Sequence, residues 1–222
     1  MEKITISKED VDEACKPTDW YLGNKVLYDF CRGNPGHTSN GAIIAKIWLI
    51  GRAYSAAIER RKNATNDSSE KFYENKVAPM MMSSSVDAWI ESLQDQTITQ
   101  GNLERVVNIH KQLTDLFYRI TELKKRSLAS KYLHFHKPDL FFIYDSRARE
   151  AINAIKLSGD KIGSSKSSDD RDGEYYTFCC RALQLRDDIE RKFERRLSPR
   201  QLDNLFLQVF EQIKKKPTVA QE

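Results

Sequence analysis

Cysteine, glycine and proline are all scarce in this chain: four, nine and six of 222 residues. So few glycines and prolines exclude collagen-like and low-complexity classes. Four cysteines, two of them adjacent (Cys179, Cys180), are too few and too close for a disulfide framework and fit a reduced thiol set. No apolar run approaches the ~18 residues a membrane span needs, so no membrane partner is expected. The opening MEKITISKEDVDEAC is polar and charged and contains no secretory apolar core, which predicts a cytoplasmic protein. Net charge is also small, +4 from 36 basic and 32 acidic side chains. No Walker-type phosphate loop, Rossmann fingerprint, nucleophile elbow or HExxH motif occurs. What the chain does have is apolar bulk. Ten Phe, nine Tyr and three Trp, within 40% hydrophobic residues, suffice for a sizeable core in a chain of this length.

Hydrophobic spacing reads as helix almost throughout. Leu202, Leu205, Phe206, Val209, Phe210 and Ile213 form the i, i+3, i+4, i+7 stripe of one helix face. Ser198 before Pro199 supplies its N-cap and first-turn proline. A second stripe runs through Leu103, Val106, Val107, His110, Leu113, Phe117 and Ile120, where His110 reads as a core histidine. A third, Phe178, Ala182, Leu185, Ile189 and Phe193, lies in a charged helix over about 175–196. Over 41–61 the apolar residues Ile43, Ile44, Ile47, Trp48, Leu49, Ile50, Ala53 and Ala57 cover nearly the whole circumference, the pattern of a central buried helix. The run 140–144 (LFFIY) is a short strand or a buried extended connector. The fold class expected is all-α, a single orthogonal helical bundle around a buried central helix.

Two polar stretches, 62–70 and 158–173, read as exposed loops, and the tail 214–222 as a frayed end. The amphipathic helices after the second loop must dock their apolar face, so one domain over 1–222 is expected. Met80, Met81 and Met82 read as adaptable packing. His134 and His136 are separated by one residue and point to different faces of a helix, which disfavours a metal site.

Charge is uneven. Between Lys111 and Lys137 seven basic residues face two acidic ones, a net +5, so the rest of the chain sums to −1. Lys124, Lys125 and Arg126 stand where one helix ends and another begins near Ser127. Three cations beside free helix N–H groups suit a phosphate, and a nucleic-acid backbone is the commonest polyanion. The plainer reading is a solvated cluster that complements the preceding helix dipole. Arg52, Tyr54, Arg60 and Arg61 form a smaller cluster, either a contact to nucleic acid or the polar end of the 41–61 helix. Lys131 reads as an ordinary lysine or as a nucleophile, and Asp145 as an N-cap or as a functional carboxylate.

The order basic turn, Lys131, extended run, then Asp145-Ser146-Arg147 opening a helix resembles the helix-hairpin-helix DNA glycosylase superfamily, particularly its 8-oxoguanine glycosylase branch, over about residues 103–157. The resemblance implies that Lys131 attacks the sugar and that Asp145 supports the charge that develops. It also implies that Lys124, Lys125, Arg126, Ser127 and Arg147 hold nucleic acid, DNA more than RNA. The segment 126–130 lacks the glycines of the family's hairpin, so its grip would be electrostatic. Adjacent Cys179 and Cys180 cannot supply a four-cysteine iron–sulfur cluster, and no cofactor is expected. The function implied is excision of a nucleobase from nucleic acid. Glycosylase-like folds also occur in bacterial antiphage gene clusters, where a non-catalytic scaffold or protein-interaction accessory role is the alternative.

Overall fold

The computed structural model describes residues 3–60, 68–159 and 172–215. The fold is all-α. Its helices in chain order are α1 (Lys8–Ala14), α2 (Tyr21–Gly33), α3 (Asn40–Ala53), α4 (Ser69–Phe72), α5 (Ala78–Met82), α6 (Val86–Glu91), α7 (Leu103–Thr121), α8 (Arg126–His136), α9 (Ser146–Ala154), α10 (Gly173–Phe193) and α11 (Pro199–Lys215). A π-helical turn, Tyr73–Val77, joins α4 to α5. Local chemistry explains several starts. Ser7 and Asp10 close a capping box on α1, and Asp145 and Asp172 each accept a backbone N–H at the starts of α9 and α10. Ser198 and Gln201 exchange side-chain and backbone hydrogen bonds around Pro199, so α11 begins where its sequence signals place it.

The amphipathic stripes face one contiguous core. All seven stripe residues of α7 are buried, His110 among them, and so are Leu202, Leu205, Phe206 and Val209 of α11. The run 140–144 is the extended connector, not a strand. It is buried throughout, and side chains satisfy its backbone: Ser130 pairs with Tyr144, His134 Nδ1 donates to the Phe141 carbonyl, and the Tyr175 hydroxyl donates to that of Phe142.

The central helix differs from expectation. Helix α3 stops at Ala53 and buries one face, with Ile43, Lys46, Ile47 and Ile50 inside, while Trp48 is 46% exposed. The helix buried on all sides is α8, whose residues 128–135 are buried without interruption. Ser130, Lys131 and His134 interrupt its apolar pattern and hide it from hydropathy, because each polar group finds its partner inside. Other boundaries shift. The helix expected over 175–196 is Gly173–Phe193, and the one that Asp145 opens is Ser146–Ala154. Ser68 caps α4, so the end of the 62–70 stretch is helical, and 61–67 lie outside the described residues. Of 158–173, residues 160–171 lie outside them too, while Ser158 bonds to Asp188 and Asp172 caps α10. Lys214 and Lys215 complete α11, with 216–222 outside the described residues.

Candidate functional site

Helix α8 carries Lys131 into the core, and the extended connector returns the chain so that Asp145 meets it. Lys131 Nζ donates to Asp145 Oδ2 at 3.0 Å, to Ser127 Oγ at 2.9 Å and to the Tyr54 carbonyl at 3.3 Å. All three ammonium protons are thereby used, and the lysine side chain is 1% exposed. It is not a surface lysine. Asp145 plays both parts that its position suggests: Oδ1 accepts from the Ala148 N–H as a cap, while Oδ2 holds Lys131. Arg147, half-exposed in the first turn of α9, lies 3.7 Å from the same oxygen.

Burial pushes the Lys131 ammonium below its ordinary range, against the pull of Asp145. Burial also acts to raise Asp145, yet the Lys131 charge, the Ala148 N–H and Arg147 outweigh it and bring the carboxyl below its usual value. The downward shift favours the neutral form that an amine nucleophile needs, while the adjacent carboxylate favours the ammonium. The same pair is also a buried salt bridge, whose disruption typically costs about 3–5 kcal/mol.

A second layer surrounds this pair, with residues that sequence reasoning missed. The Arg200 guanidinium, in the first turn of α11, lies 5.8 Å from the Tyr28 ring, 5.6 Å from Tyr54 and 5.7 Å from Phe135. Its Nε donates to the Tyr28 hydroxyl at 3.0 Å, and Nη1 donates to Asp203 at 2.9 Å. Tyr28 passes its own proton toward His134 Nε2 at 2.6 Å. Burial lifts the Asp203 carboxyl to about 6 despite Arg200. The Arg200 and Asp203 pair is an i, i+3 match on one helix turn, and that much is visible in sequence. Nothing local connects it with Tyr54 or Lys131, which lie 146 and 69 residues earlier than Arg200.

The basic turn is more engaged than its composition suggests. Lys124 is exposed, but Lys125 Nζ donates to the Ala57 carbonyl at 3.1 Å, and burial, with Arg60 nearby, lowers its pKa. Arg126 pairs with Asp172 at 2.6 Å and with Glu174 at 3.4 Å. Ser127 is occupied as a partner of Lys131. The α8 N-terminus has no side-chain cap. The turn after α3 thus receives two lysines, Lys125 at Ala57 and Lys131 at Tyr54. Its shape depends on Ser55 at a φ of 52° and on Gly51, where an added Cβ would lie 3.3 Å from the Ala57 Cα. Of the 52–61 cluster, Arg52 pairs with Glu59, Tyr54 faces Lys131, Arg60 is exposed, and Arg61 lies outside the described residues.

Both ring nitrogens of His134 have protein partners, and His136 Nδ1 donates to the Tyr132 carbonyl at 2.8 Å. No group of three or more His, Cys, Asp or Glu that could hold a metal ion occurs among the described residues. None of the helices described is long and apolar enough to cross a membrane. No protein-family model, no curated protein and no solved structure matches this chain.

Proposed function

We propose that this chain is a nucleic-acid-binding protein of the DNA glycosylase/lyase type, cytoplasmic and acting on a nucleobase, with Lys131 as nucleophile and Asp145 as its electrostatic partner. The observation that carries the reading is the 3.0 Å contact between Lys131 Nζ and Asp145 Oδ2 at the junction of α8, the connector and α9. In this chemistry neutral Nζ attacks C1′ of the sugar. The C1′–N bond breaks, its electron pair leaves with the base, and the base takes up a proton. Loss of a proton from nitrogen and opening of the sugar ring then leave a Schiff base at C1′. Asp145 stabilises the positive charge that spreads over C1′ as the bond breaks, and Arg147, Lys124 and Lys125 face the phosphates. A place in bacterial antiphage defence is compatible with this activity.

A second reading has its own support. A lysine only 1% exposed, with all three protons bonded, also serves a non-catalytic helical scaffold that keeps a basic surface for nucleic acid or a protein partner. Borohydride trapping separates the two. The full chain is incubated with oligonucleotides bearing an abasic site or a panel of base lesions, and covalent adducts are counted. The parent is expected to form an adduct that Lys131→Ala abolishes and Asp145→Asn slows at least tenfold. Absence of an adduct across the panel, or an adduct that survives Lys131→Ala, leaves the scaffold reading in place.

A further inference from the structure

The Lys131 amine is enclosed by the protein, so any ligand that reaches it needs an entrance. One candidate lies beside Arg200. An open pocket of about 430 Å³ between the end of α1, α2 and the start of α11 is lined by Tyr21, Asn24, Tyr28, Arg200, Gln201 and Asn204, among others. Its inner wall is continuous with the shell of the Lys131 site. Asn24 Oδ1 accepts from the Tyr54 hydroxyl at 2.6 Å, and the Tyr54 carbonyl accepts from Lys131. Lys131 Nζ also lies 5.6 Å from the centre of the Tyr54 ring.

The composition of this wall selects a ligand class. Tyr28 lines the pocket, and with Tyr54 and the buried Phe135, which do not line it, forms an aromatic cluster against Arg200. The Tyr28 and Phe135 centroids are 4.7 Å apart and those of Tyr54 and Phe135 5.5 Å apart. Arg200 now lies over all three rings, and a guanidinium is a flat, delocalised group that uses ring faces as a stacked heterocycle does. In the pocket, Asn24, Gln201 and Asn204 each commit one end of the amide to the protein: Asn24 to Tyr54, Gln201 to the Ser198 N–H and Asn204 to the Ala14 carbonyl. Among the described residues the other ends have no partner, which leaves two amide NH2 groups and one carbonyl acceptor on the wall. The charged residues that also line the pocket are paired, Lys25 and Arg32 with Asp29 and Lys16 with Glu13. The aromatic faces and fixed amides are therefore what it offers a planar heterocycle that carries ring nitrogens and carbonyls.

We propose that this pocket admits a nucleobase and that Arg200 is its gate: an entering base takes over the ring surfaces of Tyr28, Tyr54 and Phe135 from the guanidinium and so comes to lie beside Lys131. The inference rests on the functional reading above and adds the entrance and the group that closes it. Asp203 and the Tyr28 hydroxyl are the tethers of the closed position. Loosening them opens the gate.

Saturation-transfer NMR on the full chain tests this with adenosine, guanosine, cytidine and thymidine at millimolar concentration. Transfer to base protons is expected for the parent. Tyr21→Ala, which removes an exposed wall of the pocket, should weaken binding at least fivefold, while Leu22→Ala, an exposed change outside the pocket, should leave it unaltered. Arg200→Gln removes the competing guanidinium, and Asp203→Asn weakens its tether without removing it. Each should tighten binding at least threefold, and the second keeps the test open if the first fails to fold. No transfer for any nucleoside, or equal binding by the parent, Tyr21→Ala and Asp203→Asn, overturns the proposal. Failure of the functional reading looks different. Gated nucleoside binding without any borohydride adduct leaves a base-binding pocket that lacks the chemistry. An adduct formed equally by parent and gate variants keeps the chemistry and removes the gate.

Discussion

Burial sets the charge of the histidines in and against α8. Desolvation holds His110 near a pKa of about 4 and His134 and His136 near about 3, well under the ~6.5 of a solvated imidazole. The folded state therefore keeps them neutral at pH 6, where the unfolded chain already binds protons. Stability contributed by neutral, buried imidazoles is lost as the pH falls from about 6.5 toward the folded values, by roughly 3–5 kcal/mol each as an upper limit. Asp203 runs the other way. Its folded pKa of about 6 lies above the ordinary carboxyl value, so its contribution is present at low pH and is lost as the pH rises through about 6. Urea unfolding between pH 7 and pH 4 should show a net fall in stability. Asp203→Asn should steepen that fall, because it removes a term that opposes it. A variant curve parallel to the parent would mean that Asp203 is ionised throughout this range. None of these shifts is legible in sequence. A histidine two residues from another in a helix has the same local pattern whether it is buried or exposed, and only the tertiary partners decide.

At the scale of elements, α3 and α8 show where periodicity informs and where it misleads. Apolar residues all round α3 mark it as the centre, yet its outer face leaves Trp48 half in solvent while Ile47 is fully buried. The contrast is measurable. Ile47→Asp should prevent folding or cost more than ~4 kcal/mol, since it buries an unpaired carboxylate, whereas Trp48→Asp should stay within ~1 kcal/mol. Thermal or urea unfolding of the two variants checks this, and equal effects would place Trp48 inside. The true centre, α8, is disguised by Ser130, Lys131 and His134, whose polar groups find their partners inside the protein. The caps at Ser198 and Asp145 and the stripes of α7 and α11 were legible because they are local, set by neighbours three or four residues away. The meeting of Lys131 with Asp145 was legible as an order of residues, not as a contact. The shell of Tyr28, Tyr54, Arg200 and Asp203 was not legible, because it joins two helices and the turn after a third, whose sequences carry no mutual signal.

The molecule as a whole carries little net charge, so any attraction to a polyanion must come from how that charge is arranged. Seven basic residues lie between Lys111 and Lys137, but several of them already pair with carboxylates of the chain: Arg126 with Asp172 and Glu174, the buried Lys131 with Asp145, and, on the surface, Lys111 with Asp115. Among the described residues, Lys124, the part-buried Lys125 and, from the turn after α3, Arg60 remain toward solvent near the α8 start. These three come from two segments that the turn at 54–57 brings together, and Arg60 lies close enough to Lys125 to lower its pKa. A phosphate backbone held there releases about 0.9 counterion for each phosphate neutralised. Arg60→Ala with Lys124→Ala should therefore weaken binding to duplex DNA and make the plot of log affinity against log salt shallower by about 1–2, with the circular dichroism unchanged. Arg126→Ala should behave otherwise, lowering stability by ~1–3 kcal/mol, because it strands the nearly buried Asp172 that caps α10. Titrations of the double variant and the parent at several salt concentrations decide the matter. An unchanged slope would mean that the exposed cations at the start of α8 neutralise no phosphate and that DNA, if bound, lies on another face.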